Sequence, residues 1–223
     1  IAFFLGFSLL IVGAYSFFLE EPGRNLFAFL QAEYTVANYV EFFQTPLYLD
    51  VMWDSFVIGI QVTVVSVLIA YPVAYFLAFV AGERKYFYMI LVILPFWINL
   101  VVRTYAWRLI LSPRGLINYV FYDTLGLWEA RQNYLFSQEA IVIGLVHVFL
   151  PYMLIPIYTS LDRIDKSHIE AAKNLGANRI EAFYEVTLPQ SLPGSSAGIV
   201  MVFVLAFGSF VTPLLLGGSQ NIM

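Results

Sequence analysis

The chain has 223 residues, of which 61% are hydrophobic and 12% charged, and its formal net charge is −4. Soluble domains have about 45–50% apolar and about 25% charged residues, so this composition indicates a membrane protein. The small net charge gives no indication of nucleic-acid binding, and the absence of cysteine excludes disulfides and thiolate metal sites.

Five apolar runs are long enough to cross a bilayer, whose hydrocarbon core of about 30 Å requires roughly 20 apolar residues of helix. The sequence therefore predicts an all-α fold, a polytopic membrane helical bundle that forms a single transmembrane domain over residues 1–223. Prolines in or near these runs are either ordinary kinks or bends around a pathway. Because the chain begins at Ile1 and ends at Met223 shortly after an apolar run, we expect a fragment at both ends. The predicted spans are 1–19, 56–80, 86–111, 140–161 and 195–216.

Basic residues are concentrated in two of the segments between these spans. Residues 82–85 carry Arg84 and Lys85, and residues 162–194 carry four more basic residues. The opposite loops, 20–55 and 112–139, are together much longer but carry only three. Because Lys and Arg are enriched on the cytoplasmic side of a membrane, residues 82–85 and 162–194 are predicted to be cytoplasmic.

Polar residues interrupt the third run near its predicted outer end. Arg103 and Arg108 either extend to the lipid headgroups or face the protein interior, where charges are often functional. Asn99 precedes Arg103 by four residues, so in a continuous helix the two lie on one face, about one turn apart. Such a pair is expected to face protein or water rather than lipid.

The cytoplasmic segment 162–194 contrasts with the apolar runs around it because it carries charged and amide residues, prolines and glycines. Ser167 is followed three residues later by Glu170, a capping-box pattern that predicts a helix with Ser167 as its N-cap. Gly176 is the residue best suited to the left-handed position after the helix end. The sequence therefore predicts a short helix that ends at Gly176.

A second capping-box pattern follows this glycine. Asn178 and Glu181 predict the start of another helix, which Pro189 is expected to end. The two short helices either rest on lipid or form a docking element for a cytoplasmic partner, and the double capping and the tight turn favour docking. Helical spacing places four apolar residues of the second helix on one stripe, namely Ile180, Phe183, Tyr184 and Leu188.

The same segment resembles the hallmark of inner-membrane permeases of binding-protein-dependent ABC importers, E-A-A-x3-G-x9-I-x-L-P. The chain has Glu170-Ala171-Ala172, then Gly176, and Leu188-Pro189, with Val186 in place of the isoleucine. Further stretches are similar to the spermidine/putrescine-type permeases, and the resemblance covers nearly the whole chain. These stretches are LPFWINLVVRTYAW (94–107), GLIN (115–118), PYMLIPIYTSLDRID (151–165) and PLLLGG (213–218).

The resemblance implies a multi-pass permease of the bacterial inner membrane with six spans, so that one more span is expected after Met223. It implies that the cytoplasmic hairpin is the coupling helix, which fits a cleft in an ATPase subunit. The implied partners are two ATPase subunits, a second homologous permease or a copy of this chain, and an extracytoplasmic solute-binding protein. The implied coupling residues are Glu170, Ala171, Ala172, Gly176, Leu188 and Pro189.

Energy for transport is expected to come from outside this chain. The sequence contains no G-x-x-x-x-G-K-[ST] motif to cradle a nucleotide. The chain is therefore expected to have no cofactor and no catalytic activity of its own, and ATP and Mg are expected to bind to the partner ATPases.

The resemblance implies a polyamine such as spermidine or putrescine as the solute. No Asp or Glu lies well inside any predicted span, and Ser209 and Leu214 stand where some polyamine-type permeases have glutamates. Either the partner permease supplies the carboxylates, or the solute is an opine or another amino-acid-derived compound. The predicted solute path consists of Trp97, Asn99, Arg103, Tyr105, Ser209 and Phe210.

Two other classes of membrane protein are alternatives. A self-contained channel or ion-coupled carrier is expected to hold ionisable groups at mid-membrane, and the spans offer none apart from the arginines near one end. A membrane enzyme requires converging catalytic side chains, whereas His147 and His168, the two histidines, lie on different segments. His147 is expected to be a packing residue with a satisfied hydrogen bond.

Overall fold

The computed structural model describes residues 2–17 and 34–218. Contacts between Cα atoms divide the chain into two compact units, Ile1–Trp53 and Asp54–Met223. The described residues form helices joined by turns and loops, with no β-strand among them, so the predicted all-α fold is confirmed. The α-helices are α1 Ala2–Tyr15, α2 Ala37–Gln44, α3 Pro46–Tyr75, α4 Lys85–Ile93, α5 Leu100–Leu111, α6 Leu116–Asn118, α7 Gln138–Asp162, α8 Lys166–Asn174, α9 Arg179–Ala182, α10 Leu188–Phe207 and α11 Val211–Leu216.

The first unit consists of α1, α2 and the beginning of α3. The Ser16 hydroxyl lies 2.7 Å from the Tyr39 hydroxyl, and Asn38 Nδ2 donates to the Ser16 carbonyl oxygen at 3.1 Å. α1 covers the first part of the predicted span 1–19, whose last two residues lie outside the described residues. α3 begins at Pro46, ten residues before the predicted second span, and continues through a π-helical turn, Phe76–Val80.

The core of the second unit is built around α7. Twelve of its 25 residues are buried, and it packs along α10. The two helices approach closely because α10 carries glycine where they meet: a Cβ at Gly198 would lie 2.9 Å from Met153 Sδ, and one at Gly194 would collide with the Pro156 carbonyl oxygen. Small residues permit such close helix contacts in membrane proteins.

The predicted third span, 86–111, is not one helix. α4 passes into a 3-10 turn, Leu94–Trp97, and α5 begins only after Asn99. The two halves, Gly82–Trp97 and Leu100–Thr124, are bent by 92°. The break has a local cause, because Pro95 lies in the 3-10 turn and Asn99 Oδ1 accepts the Val101 N–H at 2.8 Å as an N-cap. Asn99 and Arg103 remain one turn apart, since the Arg103 N–H bonds to the Asn99 carbonyl oxygen at 3.1 Å, but Asn99 is exposed whereas Arg103 is buried.

The predicted fifth span, 195–216, differs from the structure at both ends. Helical backbone is continuous from Arg179 to Phe207, so Pro189 does not end the second helix of the hairpin, and that prediction is wrong. A π-helical turn, Phe183–Thr187, precedes the proline, and the Leu188 N–H bonds to the Phe183 carbonyl oxygen five residues earlier. The wider turn ends just before Pro189, which stands in the first turn of α10, where a missing N–H is tolerated. The helix then breaks at residues 208–210, before α11.

Among the described residues, three continuous helices are long and apolar enough to cross a membrane, or four spans if the bent pair counts as one. The three are Pro46–Val80, Gln138–Asp162 and Arg179–Phe207. These agree with a polytopic membrane bundle. α1, with 14 residues, is apolar but shorter, so a first span over 1–19 stays a prediction, as does a single domain over 1–223.

Candidate functional site

The hairpin between α7 and the last long helix begins with α8. Asp165 is the N-cap of α8, since its Oδ1 accepts the Ser167 N–H at 2.8 Å, so the prediction of Ser167 as N-cap is wrong. A carboxylate two residues before Ser167 accepts a free N–H group at the helix start and complements the helix dipole. The hydrogen bonds from Ser167 hold the pKa of the Asp165 carboxyl below its usual value. Glu170 consequently has no capping role and is exposed.

The end of α8 is a Schellman motif centred on Gly176. This glycine has φ +99°, as the sequence predicts. Its N–H bonds to the Lys173 carbonyl oxygen, and the Ala177 N–H bonds to the Ala172 carbonyl oxygen, both at 3.0 Å. These are the two hydrogen bonds that define the motif, and they fix the direction in which the chain leaves the helix.

The predicted capping box of the second helix is confirmed. Asn178 Oδ1 accepts the N–H groups of Ile180 and Glu181 at 2.9 and 3.0 Å. Glu181 Oε2 in turn accepts the Asn178 N–H at 2.7 Å. Only Ala177 separates this box from Gly176, so the turn between the two helices is fixed from both sides.

The predicted coupling residues have unequal exposure. Glu170 and Ala171 are exposed, Ala172 is half-buried, and Leu188 and Pro189 lie further along, inside the continuous helix. The tip of the hairpin is Leu175, which is 91% exposed. Leu175 is not among the residues predicted from the sequence, although an apolar residue directly before a helix-ending glycine is a recognisable signal. The hairpin therefore presents a small, partly apolar surface on a rigid turn.

The apolar stripe of the second helix divides into an exposed and an anchored part. Ile180 and Tyr184 are exposed, whereas the Phe183 ring packs edge-on against Tyr71 and Tyr75, with centroids 5.8 and 5.9 Å apart. The Tyr71 hydroxyl also lies 2.8 Å from Ser191 Oγ on α10. Phe183 thus connects the hairpin to the end of the long helix that begins with α3.

Two further contacts connect the hairpin region to the spans. His168 Nδ1 on α8 lies 3.4 Å from Gln190 Oε1 on α10. At the base of the hairpin, Lys85 Nζ donates to Asp162 at 2.9 Å and joins α4 to the end of α7. Side-chain contacts therefore link the hairpin and its base to α3, α4, α7 and α10.

The predicted path residues lie at the two helix breaks and along the helix that follows the first of them. Trp97 and Asn99 lie at the first break, and Ser209 and Phe210 lie at the second. The helices that follow the breaks, α5 and α11, pack against each other. Irregular backbone at membrane depth is tolerated where it is covered by protein or lines a water-filled cavity. Trp97 is 91% exposed, Tyr105 and Phe210 are exposed, and Ser209 is half-buried.

Arg103 differs from the other path residues because it is buried. It is only 8% exposed, and its Cζ lies 5.0 Å from the centroid of the Phe96 ring. Its Nε and Nη1 atoms have no hydrogen-bond partner within the described part of the chain. Of the two alternatives for Arg103, the structure favours the inward-facing one. Arg108 is half-buried, with Cζ 5.8 Å from the Phe136 ring centroid.

His147 is a packing residue, as expected, because its Nδ1 accepts the N–H of Trp107 at 3.1 Å. The pair lies in a groove of about 630 Å³ between α3, α5 and α7. Three segments that are far apart in the sequence form this groove, so no local pattern predicts it. The polar residues of the groove are Gln61, Gln138, Glu139, Trp107 and His147. Gln138 Nε2 donates to Gln61 Oε1 at 3.0 Å. Among residues 2–17 and 34–218, no three His, Asp or Glu side chains converge as metal ligands.

Comparison with known proteins gives a consistent result. Residues 66–223 match the family model described as the binding-protein-dependent transport system inner membrane component. The chain is 35% identical to the spermidine/putrescine transport system permease protein PotB of Haemophilus influenzae over 221 residues. The aligned region is 99% of this chain and 75% of that relative. It is 32% identical to the protein of the same name in Escherichia coli, over 97% of this chain and 76% of the relative. The inner membrane ABC transporter permease protein YdcU of Escherichia coli is 32% identical over 83% of this chain and 62% of its own length.

Proposed function

The chain belongs to the family of inner-membrane components of binding-protein-dependent transport systems, and from this premise we propose that it carries a polyamine across the membrane. The protein is a permease subunit of an ABC importer, located in the inner membrane, and is a transporter component rather than a catalytic enzyme in itself. Its family implies ATPase and binding-protein partners in general. The self-contained channel or carrier and the membrane enzyme are not favoured.

The proposed solute is spermidine or putrescine. This assignment is supported by relatives of 35% and 32% identity that are named as spermidine/putrescine permeases and that the chain matches over about three quarters of their length. Aromatic side chains at the first break and along α5, such as Trp97 and Tyr105, offer faces suited to an organic cation. The opine alternative has no comparable support.

The proposed coupling site is the hairpin from Asp165 to Glu181. The observation that carries this proposal is its rigid construction: a Schellman motif and a capping box adjoin in three residues and hold Leu175 at an exposed tip. We place this hairpin on the cytoplasmic side, against a cleft of an ATPase subunit, because basic residues are concentrated in this segment. ATP and Mg bind to the ATPases, and closure of two ATPases moves the hairpins of two permease subunits.

Movement of the hairpin then changes access to the solute path. Phe183 and the contact between His168 and Gln190 transmit the displacement to α3 and α10. α10 ends at the second break, so its movement shifts Ser209 and Phe210 relative to the helices around them. The spans thereby alternate between inward-open and outward-open arrangements.

The decisive experiment is reconstitution of this chain with its second permease subunit, ATPases and binding protein in proteoliposomes. We expect uptake of radiolabelled putrescine or spermidine that requires ATP and the binding protein. The matched control contains an ATPase variant that binds ATP but cannot hydrolyse it. Uptake of neither polyamine by an assembled transporter that hydrolyses ATP would overturn the solute assignment.

A further inference from the structure

Arg103 is a buried cation for which the described chain offers no anionic partner. The residue is 8% exposed, and Nε and Nη1, which carry three of the five guanidinium N–H donors, are buried without an acceptor. The ion pairs of the described residues are elsewhere, between Lys85 and Asp162 and between Arg131 and Asp123. Phe96 contacts the guanidinium face at 5.0 Å, but a ring cannot accept the in-plane N–H groups.

An arginine in this position cannot escape the cost of burial by losing its proton, because its guanidinium stays charged in proteins. Buried charges are normally paired, and their remaining N–H groups are normally hydrogen-bonded. The unpaired N–H groups of Arg103 therefore require a hydrogen-bond acceptor from outside the described residues. A carboxylate is the acceptor that satisfies charge and hydrogen bonding together.

From this geometry we propose that Arg103 receives a carboxylate of the second permease subunit and forms an ion pair across the interface of the two permeases. The proposal rests on the proposed function, because the transported polyamine is a cation and cannot itself supply the anion. The residues beside Arg103 are apolar and uncovered in the single chain, with Trp97, Ile98 and Val102 at 91%, 46% and 58% exposure. Lipid tails can cover such a surface but cannot accept the Arg103 N–H groups, whereas a protein subunit can do both. A subunit that covers these apolar residues buries the ion pair.

The same pairing accounts for a second feature of the sequence. The middle of the described spans carries no Asp or Glu, whereas a path for a polyamine is expected to contain carboxylates. If the second subunit supplies those carboxylates, they lie at the interface between the two permeases, where this chain has the positive charge of Arg103. Arg103 then selects a subunit with a carboxylate at the facing position over a subunit without one.

The first test compares assembly of the complete transporter with Arg103→Gln, Arg103→Lys and the matched control Arg108→Gln, on the same helix. We expect Arg103→Gln to weaken co-purification of the two permease subunits by at least about 30-fold. Arg103→Lys keeps the charge and is expected to retain most of the association, and Arg108→Gln is expected to behave as wild type. Normal assembly of Arg103→Gln, or equal loss with Gln and Lys, overturns the proposal, the latter because it indicates packing rather than charge.

The second test identifies the partner group. In the assembled Arg103→Lys transporter, a membrane-permeant carbodiimide is expected to join the new amine to a carboxylate of the second subunit, detected by mass spectrometry. If both subunits are copies of this chain, isotopic labelling of one copy identifies cross-links between them. A cross-link within one chain, or no cross-link, overturns the proposal.

A final arm excludes a solute carboxylate as the partner. Putrescine uptake by the wild-type transporter is measured with 4-aminobutyrate, which replaces one amine by a carboxylate. We expect that 4-aminobutyrate does not compete with putrescine uptake. If it competes in the wild type but not in Arg103→Gln, Arg103 binds a carboxylate of the solute, and the pairing between subunits is overturned. If the wild-type transporter takes up neither putrescine nor spermidine, only the proposed solute is contradicted. The ion pair is judged separately, because subunit assembly and cross-linking are measured without transport.

Discussion

The carbonyl oxygen of Ala172 accepts the N–H of Ala177 at 3.0 Å, across the turn that contains Gly176. This hydrogen bond forms only when Gly176 keeps its positive φ of +99°. The geometry of the hairpin tip therefore depends on one residue that has no side chain.

Gly176→Val is expected to reduce coupled transport about tenfold without preventing membrane insertion. A β-branched residue at positive φ costs roughly 1–2 kcal/mol, so the turn opens and Leu175 no longer has a fixed position. The matched control is Gly82→Val, another glycine at positive φ (+54°) with no neighbouring atom within 4 Å but outside the hairpin. ATPase co-purification and ATP-driven uptake are measured for both. Wild-type transport by Gly176→Val contradicts the docking role.

Asn178→Ala is expected to loosen the start of the second helix by about 1 kcal/mol, because two N–H groups lose their acceptor. Hydrogen–deuterium exchange of residues 179–182 should rise about fivefold. Asn174→Ala, at the exposed end of α8, removes a similar side chain that is no cap and serves as control. Unchanged exchange in Asn178→Ala would show that packing of Phe183, not the cap, holds this helix start.

Local patterns in the sequence predicted the turn of the hairpin, but not the path of the helices around it. Gly176 and the box of Asn178 and Glu181 act over three or four residues, so the sequence alone contains their chemistry. The N-cap of α8 is Asp165 and not Ser167. Both residue types suit an N-cap and they lie two residues apart, so the local pattern alone does not decide between them. Pro189 was expected to end a helix, and a π-helical turn before it lets the helix continue.

The candidate path shows the same limit at longer range. The polar character of Asn99 and Arg103 is evident in the sequence, but their roles depend on the bend of 92° between two half-helices. The two residues are one turn apart, as the sequence indicates, but Asn99 is an exposed helix cap whereas Arg103 is buried. The groove around His147 combines three segments, and such a combination is set by tertiary packing rather than by any one of them.

Phe183→Ala is expected to separate ATP hydrolysis from transport. The ring fills the space between Tyr71 and Tyr75, so its removal breaks the aromatic contact between the hairpin and the end of the long helix that begins with α3. We expect a loss of about 1–3 kcal/mol of packing, since the residue is half-buried, and a severalfold lower ratio of solute transported to ATP hydrolysed. Ile180→Ala removes an exposed apolar side chain of the same stripe and is the control. An unchanged ratio in Phe183→Ala assigns transmission to other contacts.

Gly194→Ala is expected to destabilise the contact of α7 with α10. The added methyl group collides with the Pro156 carbonyl oxygen, which belongs to backbone and cannot rotate away. Overpacking of this kind costs about 1–3 kcal/mol, measured as a lower melting temperature of the purified protein in detergent. Gly208→Ala is the control, because its new Cβ would lie 3.4 Å from the nearest atom, an ordinary contact. Equal melting temperatures of the two variants would show that the helices separate to admit the methyl group.

The membrane side of the hairpin can be decided by cysteine labelling, for which the chain is suited because it contains no cysteine. Leu175→Cys places a thiol at the tip, and Leu127→Cys places one in the loop 112–139 that is predicted to lie outside; the two leucines are 91% and 66% exposed. A membrane-impermeant maleimide added to spheroplasts, whose outer membrane and wall are removed, should label the Leu127→Cys protein at once. It should label the Leu175→Cys protein only after the inner membrane is permeabilised. Labelling of the Leu175→Cys protein in intact spheroplasts reverses the orientation, and then the hairpin faces away from the ATPases and cannot be their docking site.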